Sequence, residues 1–226
     1  MVNSAAPPVQ NNIYWPLNEV NAPVRQHPKY PNVLIDDDGV ARPAWATTNP
    51  VLQEYFDTEW GRAVRDEQGV FERLSLEGFQ AGLSWLTILK KRQAFRDAFS
   101  DFDPDVVAAF TNDDVEELMS NTGIVRNRQK ILAVITNAQA TIGLRKDGGL
   151  SQLIWSYRPA EDPVLDAEGN PPTQSPESVA LAKELKKRGF RFVGPTILFA
   201  MFEAIGVVNT FPFREPVTLS KTLGAN

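Results

Sequence analysis

The sequence predicts an all-α protein. Three observations carry this reading: apolar residues recur at helical spacing through most of the chain, helix start and stop signals punctuate it, and no stretch shows the convincing alternation of a half-buried strand. Residues 1 to about 44 stand apart, with scattered prolines, a turn signal at Asp36-Asp37-Asp38-Gly39 and little periodicity. They read as an extended or partly disordered N-terminal arm (1–40) ahead of a helical domain (41–226).

Taken in order, helices are expected from about Pro50 to Trp60 and from about Glu67 to Leu89. A third begins at Asp103-Pro104, where an N-cap residue precedes proline at the first helical position. Thr111-Asn112-Asp113-Asp114 has the spacing of a capping box and opens a short helix through about Met119. The segment Asn121 to Val125 is too short for anything but a tight hairpin, with Gly123 free to take a positive φ. The next helix starts near Arg126 and turns Ile131, Val134, Ile135, Ala138 and Ile142 to one face, so residues 113–143 form helix, hairpin, helix. Residues 159–174 carry four prolines and several acids and form a loop. Ser175-Pro176-Glu177 caps a helix that stops at Lys186-Lys187-Arg188 and Gly189, and a final apolar helix runs from about Pro195 to Ile205.

Composition removes whole classes of chemistry. With no cysteine among 226 residues, disulfides, thiolate nucleophiles, iron–sulfur clusters and Cys-containing zinc sites are excluded, and a single histidine, His27, argues against His-based metal sites and Ser-His-Asp triads. The most apolar stretch, Ile197 to Val208, is interrupted by Glu203 and Gly206 and falls short of the roughly 18 residues a membrane span needs. With no secretory signal at the N-terminus, a cytoplasmic protein is expected. The net charge of −5 leans against nucleic-acid binding. Basic residues nevertheless cluster at Lys90-Lys91-Arg92, Arg126 to Lys130 and Lys183 to Arg191. Those clusters either share one positive face or merely complement helix ends.

Three constellations could carry chemistry. The hairpin, with Arg126 and Arg128 at the start of a helix, is a sensible phosphate clamp, although most short connections of this kind only pack. In Leu76 to Trp85, Gly78 and Gly82 interrupt helical sequence, and Glu77 and Trp85 at i and i+8 would share a face of one continuous helix. A carboxylate beside an aromatic plane suits a flat cationic heterocycle. Spacing alone favours the plainer reading of a core tryptophan and a salt-bridged surface acid. The aromatic group Trp45, Tyr55, Phe56 and Trp60 is either a stacking platform or a small core.

The strings YFDTEWG (Tyr55 to Gly61), LSLEGFQAGLSWLTILKKR (Leu74 to Arg92), TGIVRNRQKI (Thr122 to Ile131) and KKRGFRFVGPT (Lys186 to Thr196) together closely resemble the 3-methyladenine DNA glycosylase I family, over about Ala41 to Val208. The resemblance implies a two-lobed helix–hairpin–helix DNA glycosylase fold, a monomer acting on double-stranded DNA that contains alkylated purines, and no membrane partner. It implies hydrolysis of the N-glycosidic bond of 3-methyladenine, more weakly of 3-methylguanine, without lyase chemistry. Position by position, Glu77 matches the essential acidic pocket residue, Trp85 and Tyr55 the aromatics that stack on the base, and Trp45 a further pocket tryptophan. Gly123, Ile124, Arg126, Arg128 and Lys130 fall in the hairpin segment that grips DNA. The family's structural zinc, held by two cysteines and two histidines, has no counterpart: Pro43, Phe56, Phe211 and Glu215 stand at the matching positions. No cofactor is therefore expected, and Phe56 and Phe211 are expected to pack together in the metal's place. A non-catalytic lesion-binding protein on the same scaffold and a glycosylase for a different alkylated purine are the rival readings.

Overall fold

The structure, a computed structural model, describes residues 25–36 and 39–213. Its helices begin where short polar side chains satisfy the free N–H groups of a first turn. Asn49 caps α1 (Pro50–Thr58), Asp66 caps α2 (Glu67–Gln80) and Ser84 caps α3 (Trp85–Ala98). Asp103 caps α4 (Pro104–Ala108), and the expected Thr111–Asp114 capping box opens α5 (Asn112–Ser120). Asn127 caps α6 (Arg128–Leu144), while α7 (Gly149–Trp155) follows a left-handed Gly148. A second capping box, Ser175 with Ser178, starts α8 (Pro176–Lys187), and α9 (Pro195–Ala204) starts on a proline.

Two expectations are corrected. The single helix over 67–89 is two helices, because Gly82 takes φ +81° and the Ser84 side chain accepts the N–H of Thr87 to start afresh. Glu77 and Trp85 therefore lie on different helices, and their common location is not an i to i+8 relation. The region read as an extended or partly disordered arm, with no strand expected, contains part of a small antiparallel sheet, β1 (Arg25–Gln26), β2 (Val33–Ile35) and β3 (Ala41–Pro43), with Val33 opposite Pro43 and Ile35 opposite Ala41. Strands of two and three residues are too short to display alternation, which is why periodicity misses them. The sheet crosses the boundary drawn at residue 40, and residues 1–24 of the arm lie outside the described residues.

The main core joins α2 through α9, with Phe71, Phe79, Phe95, Phe99, Phe102, Phe190 and Phe202 fully buried. Ser100, Asp101 and Phe102 turn left-handed, a costly conformation that seats Phe102 stacked on Phe99 at 5.5 Å. A second, smaller core forms where the sheet meets α1: Val33, Ile35, Ala41, Ala46, Phe56 and Phe211. Arg42 of β3 locks the sheet to α1 through a forked pair with Asp57 (Nε to Oδ1 2.9 Å, Nη2 to Oδ2 2.9 Å), and it also pairs with Asp36. Among the described residues no helix is long and apolar enough to cross a membrane.

Candidate functional site

Glu77 sits in the last turn of α2, only 6% exposed, and accepts no hydrogen bond from any described residue. Burial pushes its carboxyl up to about 8, and the charge of Glu203 adds to the rise while Arg73 opposes it. An acid left unpaired in this way costs stability, so it marks a place where something else is meant to bind.

Aromatic rings stand beside it. Tyr55, on α1, lies 5.5 Å from the ring of Trp85 at the start of α3 and 6.5 Å from Trp45. Burial raises the Tyr55 phenol far above its ordinary value, and the nearby Glu77 charge adds to that. The buried indole N–H of Trp85 also lacks an acceptor among the described residues. Tyr55 thus links an unpaired acceptor, Glu77, to an unpaired donor, the indole of Trp85, in an aromatic group that Trp45 extends. Trp45, Tyr55, Glu77 and Trp85, expected together, are brought together.

Residues that the sequence reading did not single out hold this group in place. Glu59, at the end of α1, takes a bidentate pair from Arg92 of α3 (2.7 and 2.7 Å) and a bond from Arg73 of α2 (2.8 Å). Burial would raise the Glu59 carboxyl, yet these two guanidinium groups hold it below its usual range. Glu203 of α9 is the second omission. Its carboxyl is pushed up to about 7 by burial, against the hydroxyl of Thr210, which donates to Oε1 at 2.6 Å. A lone acid interrupting the most apolar stretch of the chain was its sequence signal.

The hairpin forms between α5 and α6, but not as expected in detail. Gly123 does not take a positive φ; it is small because a Cβ there would lie 3.0 Å from the Ala94 methyl and 2.9 Å from Asn121 Oδ1. Its N–H is taken by that Asn121 oxygen at 2.8 Å. Ile124 is buried by its side chain, while its N–H and those of Arg128 and Gln129 in the first turn of α6 have no acceptor among the described residues. Arg126 is exposed beside them, and Arg128 forms an exposed pair with Glu116 at 2.6 Å. Lys130, placed by the sequence reading among the DNA-gripping residues, turns inward: it is 8% exposed and donates to the carbonyls of Phe79 and Ala81. Arg92, Arg128 and Arg188, one from each basic cluster, each already hold a carboxylate.

The residues at the family's zinc positions do not fit a metal. Pro43 and the rings of Phe56 and Phe211 offer no side-chain donor, and Glu215 lies outside the described residues. Among the described residues no group of His, Cys, Asp or Glu could hold an ion. In its place the Phe56 and Phe211 rings meet edge to face, centroids 5.1 Å apart at 87°, and Phe213 packs on Phe211 at 5.3 Å.

The methyladenine glycosylase family matches residues 45–212. The chain is 43% identical over 171 residues to the DNA-3-methyladenine glycosylase 1 of Escherichia coli K12, covering 74% of this chain and 91% of that protein. It is 41% identical over 169 residues to the DNA-3-methyladenine glycosylase of Haemophilus influenzae, covering 73% and 91%. A solved structure of 3-methyladenine DNA glycosylase I from Staphylococcus aureus, determined for its recognition of 3-methyladenine, superposes with a TM-score of 0.70 at 36% identity, over 76% of this chain and 95% of that one. With the family model matching residues 45–212 and both curated relatives more than 40% identical over most of their length, the chain belongs to the methyladenine glycosylase family.

Proposed function

We infer that the chain excises 3-methyladenine from alkylated double-stranded DNA by hydrolysing its N-glycosidic bond. The observation that carries this reading is the buried carboxyl of Glu77, without a hydrogen-bond partner among the described residues, near Tyr55, whose ring packs on Trp85 with its own unpaired indole N–H. Methylation at N3 makes the adenine cationic and a good leaving group, so the protein has only to extrude the base, hold it and admit water. The flipped ring stacks on Trp85 and Tyr55, and its charge is met by the π-faces and by Glu77, which ionises as the cation enters. Water delivers hydroxide to C1′ as the bond to N9 breaks, its proton passes to solvent, and the base departs neutral.

The hairpin N–H groups and Arg126 hold phosphates without reading sequence. Leu83 is exposed at the tip of the α2–α3 turn, one residue from the cap of the helix that carries Trp85, and is the apolar group placed to fill the gap left in the stack. Lys130, whose ammonium lies on the backbone just after Glu77, is committed to two carbonyls, which supports hydrolysis without strand cleavage. Release of free 3-methyladenine from methylated duplex DNA, leaving an abasic strand that breaks only in alkali, tests this function. Tight binding to methylated duplex with no base released would instead identify a lesion-binding protein.

Burial contributes most to the raised Glu77 carboxyl and the charge of Glu203 adds to it, so Glu203→Gln is expected to move the acid limb of kcat/KM to lower pH. The excision profile between pH 5 and 9 measures it, and an unmoved limb contradicts the coupling.

A further inference from the structure

We propose that Lys130 and Lys91 are positioning residues that strap the phosphate-binding hairpin to the base pocket, so that gripping the backbone and seating the flipped base are one rigid act. This rests on the pocket and hairpin roles inferred above. Lys130 is the third residue of α6, the helix whose first turn carries the unpaired Arg128 and Gln129 N–H groups. A lysine there sits at the positive end of its own helix and is buried besides, two placements that cost free energy. Burial accordingly draws its ammonium below the usual lysine range.

What offsets that cost lies across the interface. Its Nζ donates to Phe79 O at 2.9 Å and to Ala81 O at 2.6 Å. Those are carbonyls at the C-terminal end of α2, left without intrahelical partners and lying at the negative end of the helix dipole. They come two and four residues after Glu77, directly before the turn that carries Gly82, Leu83 and the Ser84 cap of Trp85. Gln80 closes the same turn, its side-chain amide donating to Leu83 O at 3.1 Å.

The second strap runs the other way. Lys91, on α3 and less than two turns beyond Trp85, donates from Nζ to Thr122 O at 3.1 Å and to Gly123 O at 3.0 Å. The C=O of Gly123 and the N–H of Ile124 belong to one trans peptide, so drawing the carbonyl toward Lys91 turns that N–H the opposite way, out toward a phosphate. Ala94, one turn further along α3, packs tightly on Gly123: a Cβ there would lie 3.0 Å from its methyl. Each strap ties backbone to side chain rather than side chain to side chain, which fixes main-chain position on both sides.

Single-turnover excision from methylated duplex, measured against enzyme concentration, separates positioning from mere stability. Loss of folded protein raises the concentration needed for half-saturation and leaves the plateau rate constant alone; misplacement lowers the plateau. Lys130→Met is expected to lower the plateau on the order of 10–100-fold with half-saturation changed less than about twofold. Lys130→Arg, which keeps a cation with several donors, is expected to recover to within about threefold of the parent. A parent-like plateau in Lys130→Met overturns the proposal. Should that variant fail to fold, Lys91→Met carries the test, with a plateau lowered roughly 3–10-fold expected and an unchanged plateau overturning it. A parent protein that releases no base at any concentration would refute the function itself, a result distinct from an unaltered plateau in the variants.

Discussion

Replacing Glu77 by glutamine is expected to slow excision of 3-methyladenine by about 10²–10³-fold while making the protein more stable at pH 8. The two effects have one cause. Glutamine fills the same space beneath Tyr55 and Trp85 but cannot develop the negative charge that meets the cationic base, so the loss falls on the chemical step and on binding of the cation. The stability gain follows from burial. A carboxyl with an ordinary value near 4.5 stands at about 8 in the folded chain. Below pH 4.5 it is neutral in both the folded and the unfolded states and costs nothing. As pH rises from 4.5 toward 8 the unfolded chain releases the proton that the folded chain keeps, so stability falls through that window and levels off above it. Glutamine removes this loss, worth ~3 kcal/mol once some solvent relaxation is allowed, or roughly 6–12 °C in melting temperature. Thermal melts of both proteins should coincide near pH 4.5 and diverge by pH 8. A difference of the same size at both pH values would contradict the assignment of the penalty to this carboxyl.

Phe211→Ala is expected to cost about 3–5 kcal/mol of stability. Phe211 is almost fully buried and lies edge to face on Phe56, with Phe213 behind it and the sheet residues Val33, Ile35 and Ala41 in the same cluster. A zinc site obtains its holding power from ligand bonds; this cluster obtains it from apolar area and ring contact. Added zinc should therefore leave the melting temperature of both the parent and the variant unchanged. Phe56→Ala should cost a similar amount, and the double variant less than the sum, since the two rings share one cavity. The two single variants should differ in function. Phe56 also supports Trp45, whose ring centroid lies 5.7 Å away, so its loss is expected to weaken base binding as well, whereas Phe211→Ala should excise normally at temperatures where it is folded. Urea melts with and without zinc, paired with excision rates at 15 °C, measure both.

These results also show where local reading of the chain stops. The capping box at Thr111, the Asp103-Pro104 start and the Ser175 cap follow from residues within about four positions of one another and form as expected; the short hairpin after α5 also forms, though Gly123 does not take the positive φ expected of it. Resemblance to the glycosylase family named Glu77, Trp85, Tyr55 and Trp45, and the folded chain brings them together. The edge-to-face packing of Phe56 and Phe211 was likewise legible, because four absent ligands leave two large rings at positions meant to meet.

What only the tertiary structure decided depends on distant partners. Helical periodicity runs on through Gly82 and Ser84, and the turn that separates Glu77 from Trp85 shows only in the left-handed backbone of Gly82 and the fresh cap at Ser84. The three-residue strands exist because Phe56, Phe211 and the Arg42–Asp57 pair give them a surface to lie on. Lys130 looked like a surface cation, and it turns inward because its acceptors, 51 and 49 positions away in sequence, are helix-end carbonyls that no local pattern exposes. Glu203 announces itself only as an acid in an apolar run; its proximity to Glu77 is a product of α9 crossing α2. The sequence by itself determined which segments are helices and which groups could bind a cationic base. The fold decided which charges are spent internally and which remain for DNA, because hydrogen bonds and ion pairs between distant segments are settled only when the main chain has placed their partners.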